Sequence, residues 1–281
     1  MKRTIIISVT ILACLGVTAQ DFNPCEFSIN TGGGVSGFQT RTAEGSTQRG
    51  PAITCGTGYH VFFNPFWGIG TGVNLAFYSD GIAIDDYSKQ QTAINELTFN
   101  AFDFRVVMTG YREKHQAVMA TIPLMLQYQS AGNTAFYVAA GGKAGIPLST
   151  KSKPEGSFTT TGYFPNVNVT YENLPEYGFV NSQPVSVDKS GIKLKTAMAA
   201  SAETGVKWRL SKTVSLYTGV YADLGLNNIL KRPAQSENAN LVVYQTYTPS
   251  KFYYNNAVNS YAKQMKPFTA GITVRVAAGR P

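Results

Sequence analysis

The stretch GVKWRLSKTVSLYTGVYADLGL, residues 205–226, decides the fold. Val206, Trp208 and Leu210 alternate with Gly205, Lys207 and Arg209. After a break at residues 211–213 the alternation resumes, with Val214, Leu216, Thr218, Val220, Ala222 and Leu224 set against Ser215, Tyr217, Gly219, Tyr221, Asp223 and Gly225. A period of two belongs to a β-strand, so the stretch reads as a hairpin with one greasy face and one polar face. In a soluble barrel the greasy face turns inward. In a membrane barrel it meets lipid.

Eight segments of this kind run along the chain, at 25–38, 51–63, 66–78, 117–128, 135–148, 196–210, 214–226 and 267–277, with a weaker ninth at 97–108. Their connections are short at 64–65, 129–134 and 211–213, and long at 39–50, 79–116, 149–195 and 227–266. Long and short take strict turns. That is the pattern of an outer-membrane barrel, with tight periplasmic turns and long outer loops. Counting 97–108 as a full strand would move every later short turn to the opposite face. An even count of eight therefore places it within the second outer loop, as a strand that extends beyond the membrane.

The two faces sort by chemistry. The polar face carries Glu26, Lys143, Glu203, Lys207, Arg209, Asp223 and Arg275, with many glycines between them. Both charge signs and small residues suit the narrow interior of an eight-stranded barrel, where charges must pair. Counting depth from the short-turn rim pairs Lys143 with Glu203 at mid-barrel and Glu26 with Arg275 across the closing seam, with Asp223 higher. Such a network would plug the lumen. On the greasy face, Phe63, Trp67, Tyr128, Phe136 and Trp208 all lie beside a short turn and form a candidate aromatic girdle. The expected fold is all-β: an eight-stranded antiparallel transmembrane β-barrel. A soluble lipocalin-like binding barrel would need the opposite sorting.

The first residues, MKRTIIISVTILACLGVTAQ, have a charged start, a short apolar core and a small-residue cleavage site, so 1–19 reads as a secretory signal peptide and 20–281 as the barrel domain. The chain is then secreted across the inner membrane and resides in the cell outer membrane. The net charge of +8 comes without a Lys/Arg run, which argues against nucleic acid and for an anionic lipid surface. Beyond the leader two cysteines remain, Cys25 and Cys55. Taking Phe38 as lying beside Pro51 separates them by nine residues, roughly 30 Å, so they read as free thiols. His60 and His115 have no partners at ligand spacing, no serine sits in a nucleophile elbow, and no phosphate loop occurs. The reading is not an enzyme, with no metal and no cofactor. Asp85 and Asp86 read as solvated rather than as calcium ligands.

IPLMLQYQ (residues 122–129), FYVAAGGKAGIPLS (136–149) and GVKWRLSKTVSLYTGVYADLGLNNI (205–229) resemble the barrel domain of Bacteroides-type OmpA-family outer-membrane proteins, and KPFTAGITVRVA (266–277) resembles its closing strand. The resemblance implies an outer-membrane location and a structural or porin-like role in the bacterial envelope, with no catalytic residue. Many relatives continue into a periplasmic peptidoglycan-binding domain; the quoted stretches carry only the barrel, so that activity is not transferred. Implied partners are outer-membrane lipid and lipopolysaccharide and the barrel-assembly machinery. The alternatives are an assembly or secretion factor and an adhesin acting through its long loops.

Overall fold

A computed structural model describes residues 25–42, 45–185, 192–231, 240–246 and 251–279. The expected leader, 1–19, lies outside the described residues. Eight long strands form the wall: β1 (Cys25–Thr42), β2 (Ser46–Phe62), β3 (Trp67–Ile94), β4 (Ala101–Gln129), β5 (Thr134–Phe164), β6 (Ala197–Arg209), β7 (Val214–Gly225) and β8 (Ala262–Gly279). Each pairs antiparallel with its chain neighbours, and β1 closes the ring on β8, from Glu26 opposite Gly279 to Thr42 opposite Ala262. The connections at 64–65, 129–134 and 211–213 all lie at the rim that holds the start of β1 and the end of β8. This is the ring that the parity of long and short connections predicts.

The lower part of the wall is inside-out relative to a soluble protein. On β3, Trp67, Ile69, Val73, Leu75 and Phe77 are exposed, whereas Gly68, Gly70 and Ala76 are buried. Gly70 is required where it stands, because a Cβ there would lie 2.3 Å from the His60 ring. From Trp67 to Phe77 is about 33 Å of strand at ~3.3 Å per residue, or ~25 Å of height at a tilt near 40°, the thickness of an outer-membrane apolar band.

Above that band the strands do not stop, and the polarity of the wall inverts. Phe102, Phe104, Val106 and Met108 of β4 are buried, together with Ile82, Ile84 and Tyr87 of β3 and Phe158 of β5. Into this interior pack residues of the outer connections: Phe179, Leu230, Leu241, Val242, and Ala257 and Val258 of the short helix α1 (Ala257–Tyr261). The result is an extracellular body with a hydrophobic core of the soluble kind, continuous with the membrane wall. The strand expected beyond the membrane is the top of β4. It begins at Ala101, because Asn95 ends β3 by accepting from the Leu97 and Thr98 amides and so folds 95–100 into a turn.

Which face of β4 looks inward changes along its length. Odd residues from Tyr111 to Gln129 are buried below, apart from half-buried Pro123, and even residues from Phe102 to Met108 above. The switch falls at Gly110, whose φ of +69° is costly for any residue with a Cβ, and the β4–β5 register shifts at the same point. A second irregularity sits at Pro123, which has no amide to give: the β3–β4 ladder skips Gly72 and Val73 between Thr71 and Asn74.

Cys25 and Cys55 are both free thiols. Their separation differs from the expected one. The β1–β2 register sets Cys55 opposite Thr31, six residues from Cys25 and not nine. The β1–β2 ladder ends at Ser36 opposite Gly50; beyond it 37–42 pair on with β8 and 46–49 with β3, and the two strands are set three residues from the expected register.

Candidate functional site

Two polar clusters are buried inside the barrel, one in the membrane-spanning lumen and one at the base of the extracellular body.

In the lumen, Lys143 reaches Asp223 with contacts of 2.8 and 3.0 Å. Asp223 also accepts from Ser201 at 2.6 Å and Thr269 at 3.0 Å. Ser201, Asp223 and Thr269 are successive register partners across β6, β7 and β8, so one row of the sheet satisfies the carboxylate. The expected Lys143–Glu203 pair does not form. Register partners across β5 and β6 are Lys143 with Ala199 and Ala139 with Glu203, which separates the two charges by four residues along the strands. Equal counts from the rim ignore the stagger that closes a tilted barrel. Glu203 instead accepts from the Tyr137 hydroxyl at 2.8 Å.

The same stagger overturns the expected Glu26–Arg275 pair. Arg275 faces Asn30, and Glu26 faces Gly279. Lys207 donates to Glu26 at 2.7 Å and to Gln129 at 3.1 Å, while Tyr217 donates to the second Glu26 oxygen at 2.6 Å. Arg275 donates to His60 at 2.8 Å and Gln127 at 2.7 Å, and its guanidinium lies 3.9 Å from the centre of the Tyr217 ring. Glu26, Lys207, Gln129, Tyr217 and Phe62 are each at most 3% exposed, so they fill the lumen beside the short-turn rim. Arg209 takes no part: it is exposed at the rim itself. Between these clusters lies a polar cavity of about 90 Å³, lined among others by Asn30, Thr54, Asn74, Thr121 and Lys143. The five proposed girdle residues, Phe63, Trp67, Tyr128, Phe136 and Trp208, are all exposed on the outer wall; Trp67 packs on Tyr128 with ring centres 5.1 Å apart.

The second cluster was not legible from residue spacing. Asp80 and His115 are register partners three residues above Phe77 and Val118, just outside the apolar band. His115 Nδ1 lies 3.0 Å from Asp80, and Nε2 lies 3.0 Å from Glu113. All three are buried. Glu113 also accepts from Tyr111 at 2.8 Å, from the Ala257 amide of α1 at 2.6 Å, and from Ser152. Asp80 accepts from the Phe38 amide at 3.1 Å. Five elements, β1, β3, β4, β5 and α1, therefore meet on one imidazole flanked by two carboxylates. Its signal in the sequence was Glu113-x-His115, two ionisable residues on one strand face, but Asp80 lies 35 residues away.

Burial pushes the His115 imidazole down, but Asp80 and Glu113 outweigh it and raise the pKa to about 9. Burial pushes Glu113 up, but His115, Ser152 and the Ala257 amide outweigh it and hold the carboxyl below its ordinary value. The signs set a window. The raised His115 value contributes stability that is complete below its ordinary pKa near 6.5 and is lost as pH rises through about 9. The depressed Glu113 value contributes stability that is complete above its ordinary 4.5 and is lost at lower pH. The extracellular body should therefore be held tightest between about pH 5 and 6.5, and loosen progressively from there to about pH 9. Hydrogen exchange should show the amides of 101–108 and 240–246 losing protection by pH 10, after correction for intrinsic rates. Unchanged corrected protection at pH 10 would count against the triad as a tie.

A wall that is apolar outward over one membrane thickness, and polar within, suits insertion in an outer membrane. The family model described as outer membrane protein beta-barrel domain matches residues 18–231. The chain belongs to that family. This outer-membrane barrel has no match among curated proteins. Solved structures similar to it include Neisserial surface protein A, at 8% identity, TM-score 0.35, covering 89% of this chain and 96% of that one. OprG from Pseudomonas aeruginosa is similar at 12% identity, TM-score 0.36, covering 90% and 96%. Ail of Yersinia pestis is similar at 10% identity, TM-score 0.25, covering 90% and 97%.

Proposed function

We propose that this outer-membrane protein is a sealed anchor that carries a rigid extracellular body, and that it serves envelope structure and surface contact without catalysis and without steady solute passage. The observation that carries the reading is the closure of the lumen at two levels. Glu26, Lys207, Gln129 and Tyr217 fill it below, and the apolar core above replaces the open vestibule that a pore would need. The stretches at 122–129, 136–149 and 205–229 support grouping it with Bacteroides-type OmpA barrels. Residues 1–19 fit a cleaved leader, and the partners that fit are outer-membrane lipid, lipopolysaccharide and the barrel-assembly machinery. Planar-bilayer recording of the refolded protein tests the reading. It should show a quiet baseline at neutral pH. A large, steady conductance would defeat it.

A further inference from the structure

β5 and β6 pair only up to Gly145 opposite Ala197. Above that point β5 continues against β4, while the chain leading into β6 peels away. Two ties hold it: Thr150 donates to the Ile192 carbonyl at 2.6 Å, and Leu194 bridges to Leu230. The parting leaves a shallow groove of about 280 Å³ on the outer wall, with 147–150 on one bank and 192–194 and Lys231 on the other.

The groove sits at the upper edge of the apolar band. Ile146, Leu148 and Met198 beside it are more than half exposed. Lys151 lies three residues above Leu148, ~10 Å along the strand and ~8 Å higher in a tilted barrel. Lys193 and Lys231 on the far bank are exposed, and Lys153 stands directly opposite Lys114 in the β4–β5 ladder. Like charges directly opposite destabilise a ladder unless something between them is negative. Glu155 approaches Lys114 only at 3.8 Å, and Lys151, Lys153, Lys193 and Lys231 have no ion-pair partner among the described residues. On the outer-membrane reading proposed above, on which this inference rests, cations above an apolar floor at the outer-leaflet edge suit a lipid whose phosphate headgroup stands over its acyl chains.

We propose that this groove seats one phosphorylated glycolipid of the outer leaflet, with its phosphate on Lys193, Lys231 and Lys151 and its acyl chains against Ile146, Leu148 and Met198. Lysine suits the task, since its stem can lie along apolar surface while the ammonium reaches the headgroup plane.

Native mass spectrometry of the detergent-solubilised full chain tests this, using bis-phosphorylated lipid A, its dephosphorylated form, and inorganic phosphate as competitor. The parent should retain one phosphorylated lipid. Lys193→Ser with Lys231→Ser should weaken retention about tenfold, since charge-assisted contacts to phosphate are lost. Lys212→Ser, an exposed lysine at the opposite rim, should change nothing. Heat-modifiable migration on a gel checks that each variant is folded. Equal retention by the double variant, or of the dephosphorylated lipid, would overturn the proposal. So would displacement by millimolar inorganic phosphate, which would make the groove a simple anion site.

Discussion

Glu113→Ala should loosen α1 and the outer connections packed inside the extracellular body while leaving the membrane ring intact. The carboxylate is the one group that gathers Tyr111, Ser152, the Ala257 amide and His115. Without it, His115 keeps only Asp80, and three donors are left buried without an acceptor. Removing one partner of a buried ion pair costs about 3–5 kcal/mol, and each orphaned donor about 1 kcal/mol or more. That loss falls on the ties to α1 and β5, whereas the lumen pairs lie lower in the barrel. Limited proteolysis should cut 240–261 at least tenfold faster in the variant, with heat-modifiable migration retained. Glu113→Gln keeps the acceptor oxygen and should fall between. Equal cleavage of parent and alanine variant would show that the apolar core alone holds the body.

Lys207→Ala should have the second large effect, and it separates a plug from a mere filler. Lys207 is the cation that Glu26 faces at 2.7 Å, and it also holds Gln129. Truncation leaves Glu26 with only the Tyr217 hydroxyl, at a cost again near 3–5 kcal/mol. Water must then enter from the short-turn rim to solvate the carboxylate. Bilayers holding the variant should show brief conducting events that the parent lacks, and its unfolding in urea should come at lower denaturant. Lys207→Met, with similar volume and no charge, should behave like the alanine variant in the bilayer if charge pairing is the seal. If both variants are as quiet as the parent and as stable, the plug does not depend on that pair.

The ring itself was legible because lipid and lumen impose alternation on every residue of a spanning strand. Connection lengths then fixed the parity. Register was less legible. The first hairpin was set three residues off because a stretch rich in polar residues, 39–50, was counted as loop when most of it is paired strand. The lumen pairs failed for a related reason: Lys143 and Glu203 stand at equal counts from a rim, yet the stagger of the sheet sets them four residues apart. The extracellular core was hidden by Gly110. One left-handed glycine swaps the inward face of β4, so Phe104 and Tyr111, both buried, fall on opposite phases of a strict period-two pattern. The triad was hidden by distance along the chain, since only the β3–β4 register brings Asp80 to His115.

The unbroken passage of β3 and β4 from bilayer to tip has a mechanical consequence. Their common ladder runs from Trp67 opposite Tyr128 to Ile94 opposite Ala101; β4 is bonded to β5 over most of that length, and β3 is bonded to β2 over its lower half, up to Ala83. Ladder hydrogen bonds stand perpendicular to the strands. A pull on the turn at 95–100 therefore loads the flanking bonds in shear, many at once, instead of unzipping them one by one. Tension applied at the cell's exterior is delivered along stiff strands into the bilayer, and the membrane ring, rather than a flexible stalk, is what must yield first.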